Sequence, residues 1–139
     1  MSKNNNNFYK SWFDTPYYHI LYKNRDYKEA EMFTKELMEF IKLPSNSKIL
    51  DLGCGRAYII SHLHKNIKFN GKPIGIDIKK IKNVKKNITF LKLNAIKYLK
   101  STNKSFDLIL IKQTIHFFSK KQIKELLNLA KKKLNSNGQ

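Results

Sequence analysis

The sequence predicts an α/β fold, in which a parallel sheet of about four strands is flanked by helices and preceded by an N-terminal helical extension. Three observations carry this prediction. Short apolar segments alternate with amphipathic ones, the apolar segments are almost uninterrupted by polar residues, and a glycine-rich bend follows the first of them. Such a pattern is typical of a parallel sheet covered on both faces. Residues 44–139 are predicted to form this domain, and residues 1–43 a polar tail with an aromatic-rich helical segment.

The N-terminal segment contains two sets of helix-start signals. Pro16 is typical of a first helical position, and Asp26 with Glu29 has the spacing of a capping box. Apolar residues recur at helical spacing after the second signal. The pattern therefore predicts a short helix over 16–23 and a longer amphipathic helix over 27–42.

The strands are predicted from apolar runs bounded by turn-forming residues. They cover residues 49–52, 73–78, 88–93 and 106–111. A helix follows the first strand. The last helix begins at a capping box formed by Ser119 and Gln122, and Gly138 lies just beyond its apolar face as the predicted stop.

The composition excludes several classes of protein. With 41% apolar residues and 12% aromatic residues, the chain can form a core and is not of disordered composition. It has no apolar run of membrane-spanning length, and residues 1–7 lack the apolar core of a secretory signal. A single cysteine, Cys54, excludes an intrachain disulfide and a multi-cysteine zinc site. We expect a reduced, cytoplasmic protein.

The formal net charge of +18 allows two interpretations. Abundant Lys, Asn and Ile are typical of AT-rich coding DNA, which would make the charge a matter of composition. The charge is uneven, however, because residues 79–139 contain 16 lysines and only the two acids Asp107 and Glu125. Such a region predicts a polyanionic partner, with nucleic acid as the expectation.

The most informative segment is ILDLGCGRAYI, residues 49–59. An acid, Asp51, stands at the end of a strand, and Gly53 and Gly55 follow it before a helix begins. Glycine permits sharp turns and close approach of the backbone to a ligand, and the free N–H groups of a helix start face that ligand. Asp51 places a carboxylate where a cationic amino group can be held.

Two other interpretations of this bend fit its residues less well. The dinucleotide pattern G-x-G-x-x-G fails because its third position is Tyr58. A plain tight turn that needs glycine for shape alone does not account for Asp77, an acid at the end of the second strand and 22 residues after Gly55. An acid at that place accepts hydrogen bonds from ribose hydroxyls in nucleotide-binding α/β units.

Residues 48–138 resemble class I S-adenosylmethionine-dependent methyltransferases, which have a Rossmann-like fold. ILDLGCG is similar to their first motif, GIDI to their second-strand acid and LKLNAI to the segment bordering adenine; SFDLILIKQTIHFF is similar to their fourth strand and its loop. The resemblance implies S-adenosylmethionine as cofactor. Asp51, Gly53 and Gly55 would hold its methionine part, and Asp77 its ribose.

The resemblance also implies that Asn94 and Ala95 border the adenine, and that Lys112 borders the methionine end. Cys54 lies inside the bend, where a packing role is the simpler interpretation of a small side chain. The full set of predicted cofactor-binding residues is Asp51, Gly53, Cys54, Gly55, Asp77, Ile78, Asn94, Ala95 and Lys112.

Three features depart from the family pattern. Ala57 stands where a third glycine is usual, and Asn94 where an acid is common, although its amide can still accept a hydrogen bond from adenine. The sequence ends at Gln139, where a fifth strand should begin, so we expect an incomplete C-terminal half. The fourth strand would then be an exposed edge, which favours a dimer or a complex.

His116, in the loop after the fourth strand, is the candidate catalytic base for acceptors that must lose a proton. A histidine packed between aromatic neighbours is the alternative. His62 and His64 are two residues apart on a helix, which predicts surface positions rather than a metal site.

Two hypotheses follow for the function. The first is an S-adenosylmethionine-dependent methyltransferase whose acceptor is a small molecule or a nucleic acid. The second is a non-catalytic module that binds the cofactor and acts in a complex or on RNA.

Overall fold

The computed structural model describes residues 16–67, 71–80, 84–112 and 118–139. Its helices are α1 (Pro16–Phe40), α2 (Tyr58–Ile67), α3 (Ala95–Ser101) and α4 (Lys120–Lys132). Its strands are β1 (Ile49–Leu52), β2 (Ile74–Asp77), β3 (Thr89–Lys92) and β4 (Leu108–Leu110). None of the helices in these four ranges combines the length and the apolar character needed to cross a bilayer.

The four strands form one parallel sheet in the order β3-β2-β1-β4. This confirms the predicted fold class. β1 is central, and Asp51 lies beside Gly75 of β2 and Leu110 of β4. Because all strands are parallel, their carboxyl ends meet at one edge, which we call the carboxyl edge.

Alternation along β1 divides the core into two layers. Leu50 and Leu52 belong to the apolar cluster under α3 and α4, which is completed by residues such as Leu99 and Leu126. Ile49 belongs to the cluster under α2, where Ile60 packs together with side chains of α1. The sheet is therefore covered on both faces, and successive residues of β1 point to different layers.

The N-terminal segment forms one helix where two were predicted. α1 runs without a break from Pro16 to Phe40, so the predicted boundary between residues 23 and 27 is wrong. The intervening Lys-Asn-Arg-Asp contains neither proline nor glycine, so it can stay helical. Asp26 and Glu29 have capping spacing, but a capping box forms only at the start of a helix, and no helix starts there.

Three further elements differ clearly from prediction. The last helix, α4, ends at Lys132, six residues before the predicted stop Gly138. α3 was not predicted. Asn94 is its N-cap, and Ile96 and Leu99 are among its buried residues. β4 is shorter than predicted, because Phe106 makes an isolated parallel bridge to Leu134 instead of joining the strand. The predicted start of α4 is confirmed, since Ser119 and Gln122 form both hydrogen bonds of a capping box.

β4 lies at one end of the strand order. Gln139 pairs with it, because the Gln139 N–H donates to the carbonyl of Asp107 at 2.9 Å and its own carbonyl accepts from the Ile109 N–H at 2.9 Å. These bonds place Gln139 parallel to β4 on its outer side. Pairing of a partner chain through this edge stays a prediction.

Candidate functional site

The bend after β1 requires its glycines. Gly53 and Gly55 have φ values of 73° and 55°, in the left-handed region that glycine enters without a Cβ penalty. The N–H groups of Gly53 and Cys54 both donate to the carbonyl of Ile76, at 2.7 and 2.9 Å. The bend is therefore fastened to the end of β2.

Asp77 joins the bend to the second strand. Its Oδ2 accepts from the N–H of Gly55 at 2.9 Å, and its Oδ1 accepts from the N–H of Lys79 at 3.0 Å. A carboxylate has about four acceptor sites, so each oxygen keeps one for a ligand. The carboxylate is only partly buried and lies at the carboxyl edge.

Asp51 is an ionisable group in the interior, with 2% of its surface exposed. It shares a sheet face with Asp77, since its neighbour on β2 is Gly75, two residues before that acid. Burial raises the pKa of Asp51 to about 7; the charge of Asp77 adds to this increase, and Lys112 opposes it. The predicted pair of carboxylates thus shares one location at the carboxyl edge.

Cys54 packs into a space that Gly75 leaves open. A Cβ built on Gly75 would stand 2.8 Å from the Cys54 Sγ and 3.0 Å from Ile60 Cδ1. Burial, with the charges of Asp51 and Asp77, raises the pKa of the thiol. These contacts favour the packing interpretation of Cys54. Gly75 was not singled out from the sequence, although a glycine inside a strand indicates close approach.

Asn94 caps α3. Its side-chain oxygen accepts from the N–H groups of Ile96 and Lys97, at 2.9 and 3.2 Å. The predicted hydrogen bond from adenine to this oxygen would compete with the cap. Ala95 follows as a buried first residue of the helix. The role of both residues at the adenine stays a prediction.

Lys112 connects the site to α1. Its Nζ lies 4.9 Å from the centroid of the Phe33 ring, a cation–π distance, and its charge lowers the pKa of Asp51. Ile78 follows Asp77 and is 49% exposed, so it can offer an apolar surface to a ligand. His116, the candidate base, lies outside the described residues.

Ala57 occupies a strained position. Its φ is 61°, in a region that costs a residue with a Cβ about 1–2 kcal/mol. Its methyl group is buried with Ile60 and Leu63 in the cluster under α2. Ala57, which stands where the family has a third glycine, therefore keeps the backbone conformation of a glycine and adds a buried methyl group.

His62 is not at the surface, so that prediction is wrong. The side chain is buried, and its ring centroid lies 4.7 Å from that of Tyr27 on α1. α1 covers this face of α2, and that long-range contact is not visible in the local spacing of the histidines. Burial lowers the pKa of His62. In the described ranges, no group of three or more side chains is suited to hold a metal ion.

Comparison with known proteins identifies the family. A family model described as a methyltransferase domain matches residues 43–139. The chain belongs to this family. No curated protein sequence matches it.

Solved structures of methyltransferases share the fold of this methyltransferase-domain protein. A SAM-dependent methyltransferase from Archaeoglobus fulgidus is 26% identical, with a TM-score of 0.70 over 87% of this chain and 54% of its own. The plantazolicin methyltransferase BpumL, solved with a monoazolic desmethylPZN analog and SAH, is 26% identical, with a TM-score of 0.63 over 91% of this chain and 52% of its own. The chain thus spans about half the length of these two proteins. Magnesium protoporphyrin IX methyltransferase from Synechocystis PCC 6803, at 10% identity and a TM-score of 0.65 over 96% of this chain and 74% of its own, shows the fold alone.

Proposed function

We propose that this protein binds S-adenosylmethionine at the carboxyl edge of β1 and β2 and takes part in transferring its methyl group to an acceptor. The single observation that carries the proposal is the hydrogen bond from the Gly55 N–H of the bend to Asp77, with Asp51 buried beside it. Membership of the methyltransferase domain family supports it, as does the SAH in the BpumL structures.

The residues present fit the chemistry of this cofactor. The charge of Asp77 adds to the burial that disfavours ionisation of Asp51, and a cationic ligand would favour the ionised form of Asp51. In the described part of the chain, nothing stands within 4 Å of the Cβ position of Gly55, so there is room above the bend. The free acceptor sites of Asp77 suit the two hydroxyls of a ribose.

Each part of the cofactor would have its own residues. Asp51 would hold the ammonium of the methionine part, directly or through water, and Asp77 the ribose. Ala95 would border the adenine, with Asn94 keeping its side chain on the helix. The bound cofactor supplies an electrophilic methyl group on a sulfonium, and His116 stays the predicted base for acceptors that lose a proton. The free thiol of Cys54 is compatible with our proposal of a cytoplasmic location.

Calorimetric titration with S-adenosylmethionine and S-adenosylhomocysteine tests the binding. Asp77→Asn should weaken both by roughly 10–100-fold, because hydrogen bonds to a charged group contribute about 1.5–3 kcal/mol. Glu36→Gln, which removes one exposed acid of α1, is the matched control and should bind as wild type does. A folded wild-type sample that binds neither ligand at millimolar concentration would overturn the proposal.

The ionisation of Asp51 gives a second readout. Because its pKa is about 7, affinity for the cationic cofactor should rise by up to about tenfold per pH unit below that value and level off above it. Methyl transfer is then followed with cofactor labelled in its methyl group. The protein is incubated with RNA and with small-molecule fractions in separate reactions. Tight binding without incorporation into any fraction would favour the non-catalytic module over the enzyme.

A further inference from the structure

The solvent-facing side of α3 and α4 concentrates positive charge. We call it the lysine face; it includes Lys104, just after α3, and all its members are exposed: Lys97, Lys100, Lys104, Lys120, Lys121, Lys124, Lys131 and Lys132. The two helices contain a single acid, Glu125. This face is distinct from the proposed cofactor site, since Asp51 points to the layer of α1 and α2.

The lysines of α4 lie on one side of the helix, in a stripe with three lysines at its start and two at its end. Leu126 and Ala130 mark the buried side of the helix. At about 100° per residue, the five lysines of α4 fall within an arc of roughly 120° opposite that side. From Lys120 to Lys132 the stripe is about 18 Å long. The charges are thus aligned on one rigid element rather than scattered.

Contacts between the two helices stiffen this face. The Lys100 Nζ lies 2.6 Å from a Glu125 carboxylate oxygen, and the Lys133 Nζ donates to the carbonyl of Thr102 at 2.7 Å. Both bonds join α3 with α4. Glu125 therefore stands at the side of the stripe, where it pairs with Lys100 of α3.

Composition alone does not explain the stripe. α1 comes from the same chain and has four basic residues and five acids, a net charge of −1, whereas α4 has five lysines and one acid, a net charge of +4. AT-rich coding would raise lysine on every exposed helix alike. The difference between the helices shows that lysine is enriched, and acid depleted, on α4 relative to α1.

We propose that the lysine face binds the phosphate backbone of a double-stranded nucleic acid. A duplex carries one charge per about 1.7 Å of its axis, so 18 Å of duplex carries roughly ten phosphates, of which those turned towards the stripe are within reach of its lysines. Single-strand binding uses exposed aromatic platforms, and the described part of this face has none. Helices that lie on membranes need a broad apolar side, whereas the exposed large apolar residue of α4 is Leu127 alone.

The orientation of α4 brings the duplex towards the carboxyl edge. The N–H of Phe106, just before β4, donates to the carbonyl of Lys133 at the end of α4. α4 therefore runs antiparallel to β4, and its Lys120 end lies on the side of the carboxyl edge. Binding at the lysine face does not depend on the proposed methyl transfer and is tested without cofactor.

The test measures affinity for a duplex of about 20 base pairs by fluorescence anisotropy between about 50 and 200 mM salt. The slope of log K against log salt is negative, and the variant Lys120→Gln/Lys124→Gln/Lys131→Gln should make it shallower by about 2.7. Each phosphate contact contributes about 0.9 to its steepness. Affinity at the lower salt concentration should fall at least tenfold. RNA and DNA duplexes of one sequence, run as separate arms, show which is preferred.

The matched control removes three lysines elsewhere: Lys28→Gln/Lys35→Gln/Lys72→Gln. It has the same net charge as the stripe variant and should keep the wild-type slope. Replacing the three stripe lysines by arginine should also keep it, which separates a charge effect from misfolding. Equal losses in the stripe and control variants, tighter binding of single strands than of both duplexes, or equally effective competition by polyglutamate would each overturn the proposal.

Discussion

Replacing Asp51 by asparagine should make this protein more stable at alkaline pH. Asp51 is buried, and its pKa is about 7 in the folded chain against an ordinary value of 3.8. The folded state therefore holds a proton on this carboxyl that the unfolded state releases, so stability falls as pH rises between about 4 and 7. Above that window both states are ionised, and the loss is complete.

The size of the stability change follows from the shift in the pKa of Asp51. About three pKa units correspond to about 4 kcal/mol, which is the destabilisation by the ionised Asp51 at pH 8. Asparagine removes the charge but leaves a buried amide, at a cost of about 1–3 kcal/mol where its hydrogen bonds are not made. We expect a net gain of about 2 kcal/mol at pH 8 and a net loss of about 1–2 kcal/mol near pH 4, where folded wild-type Asp51 is protonated and the cost of the buried amide dominates. The same substitution should abolish the pH dependence of cofactor binding.

Urea unfolding followed by circular dichroism, at pH values from about 4 to 8, measures the difference between the variant and wild type. Asp107→Asn is a control of opposite sign, because hydrogen bonds from the Lys48 N–H and the Asn135 side chain lower the pKa of Asp107. Asp107→Asn should be less stable than wild type at neutral pH. The difference should shrink as pH falls through the pKa of Asp107 in the folded state. A difference between Asp51→Asn and wild type that stays constant across the whole range would refute the reasoning.

Three further predictions concern packing around the site. Gly75→Ala should cost about 1–3 kcal/mol of unfolding free energy through its contact with the Cys54 sulfur, and Cys54→Ala in the same chain should recover most of it in a double-mutant cycle. Ala57→Gly should be close to neutral by urea unfolding, because relief of about 1 kcal/mol of strain offsets about 0.8 kcal/mol of lost methyl burial, whereas Ala57→Val should be clearly destabilising. The free energy of unfolding of His62→Leu should fall less than that of wild type when pH drops from about 7.5 to 5, because burial lowers the pKa of His62 and its protonation opposes folding. An equal fall in the two proteins would show that His62 is not the group responsible.

Local patterns predicted the elements that depend on local interactions. The bounds of β1 were predicted correctly, because an apolar run between turn residues leaves the chain few other conformations. The start of α4 was predicted correctly, because a capping box satisfies backbone groups within four residues. The ends of α1 and β4 depend on contacts with distant residues, and there the predictions failed.

The candidate site divides in the same way. Its acids and glycines could be named from the sequence, since an acid at a strand end and a glycine bend are patterns within a few residues. The role of Gly75 could not be named, because the atom it accommodates belongs to Cys54, 21 positions earlier on another element. The capping bonds of Asn94 could have been recognised from the apolar residues that follow it, but adenine recognition was given more weight.

The order of residues along this chain was enough to establish the parallel α/β architecture and the family it resembles, because hydrophobic period and turn chemistry act over a few neighbouring residues. Only tertiary structure decided that Asp51 is buried beside Asp77, that α1 covers His62, and that the lysines of α3 and α4 share one outer face. Burial and electrostatic coupling depend on which strands and helices become neighbours. Those neighbours are brought together by the packing of the whole domain.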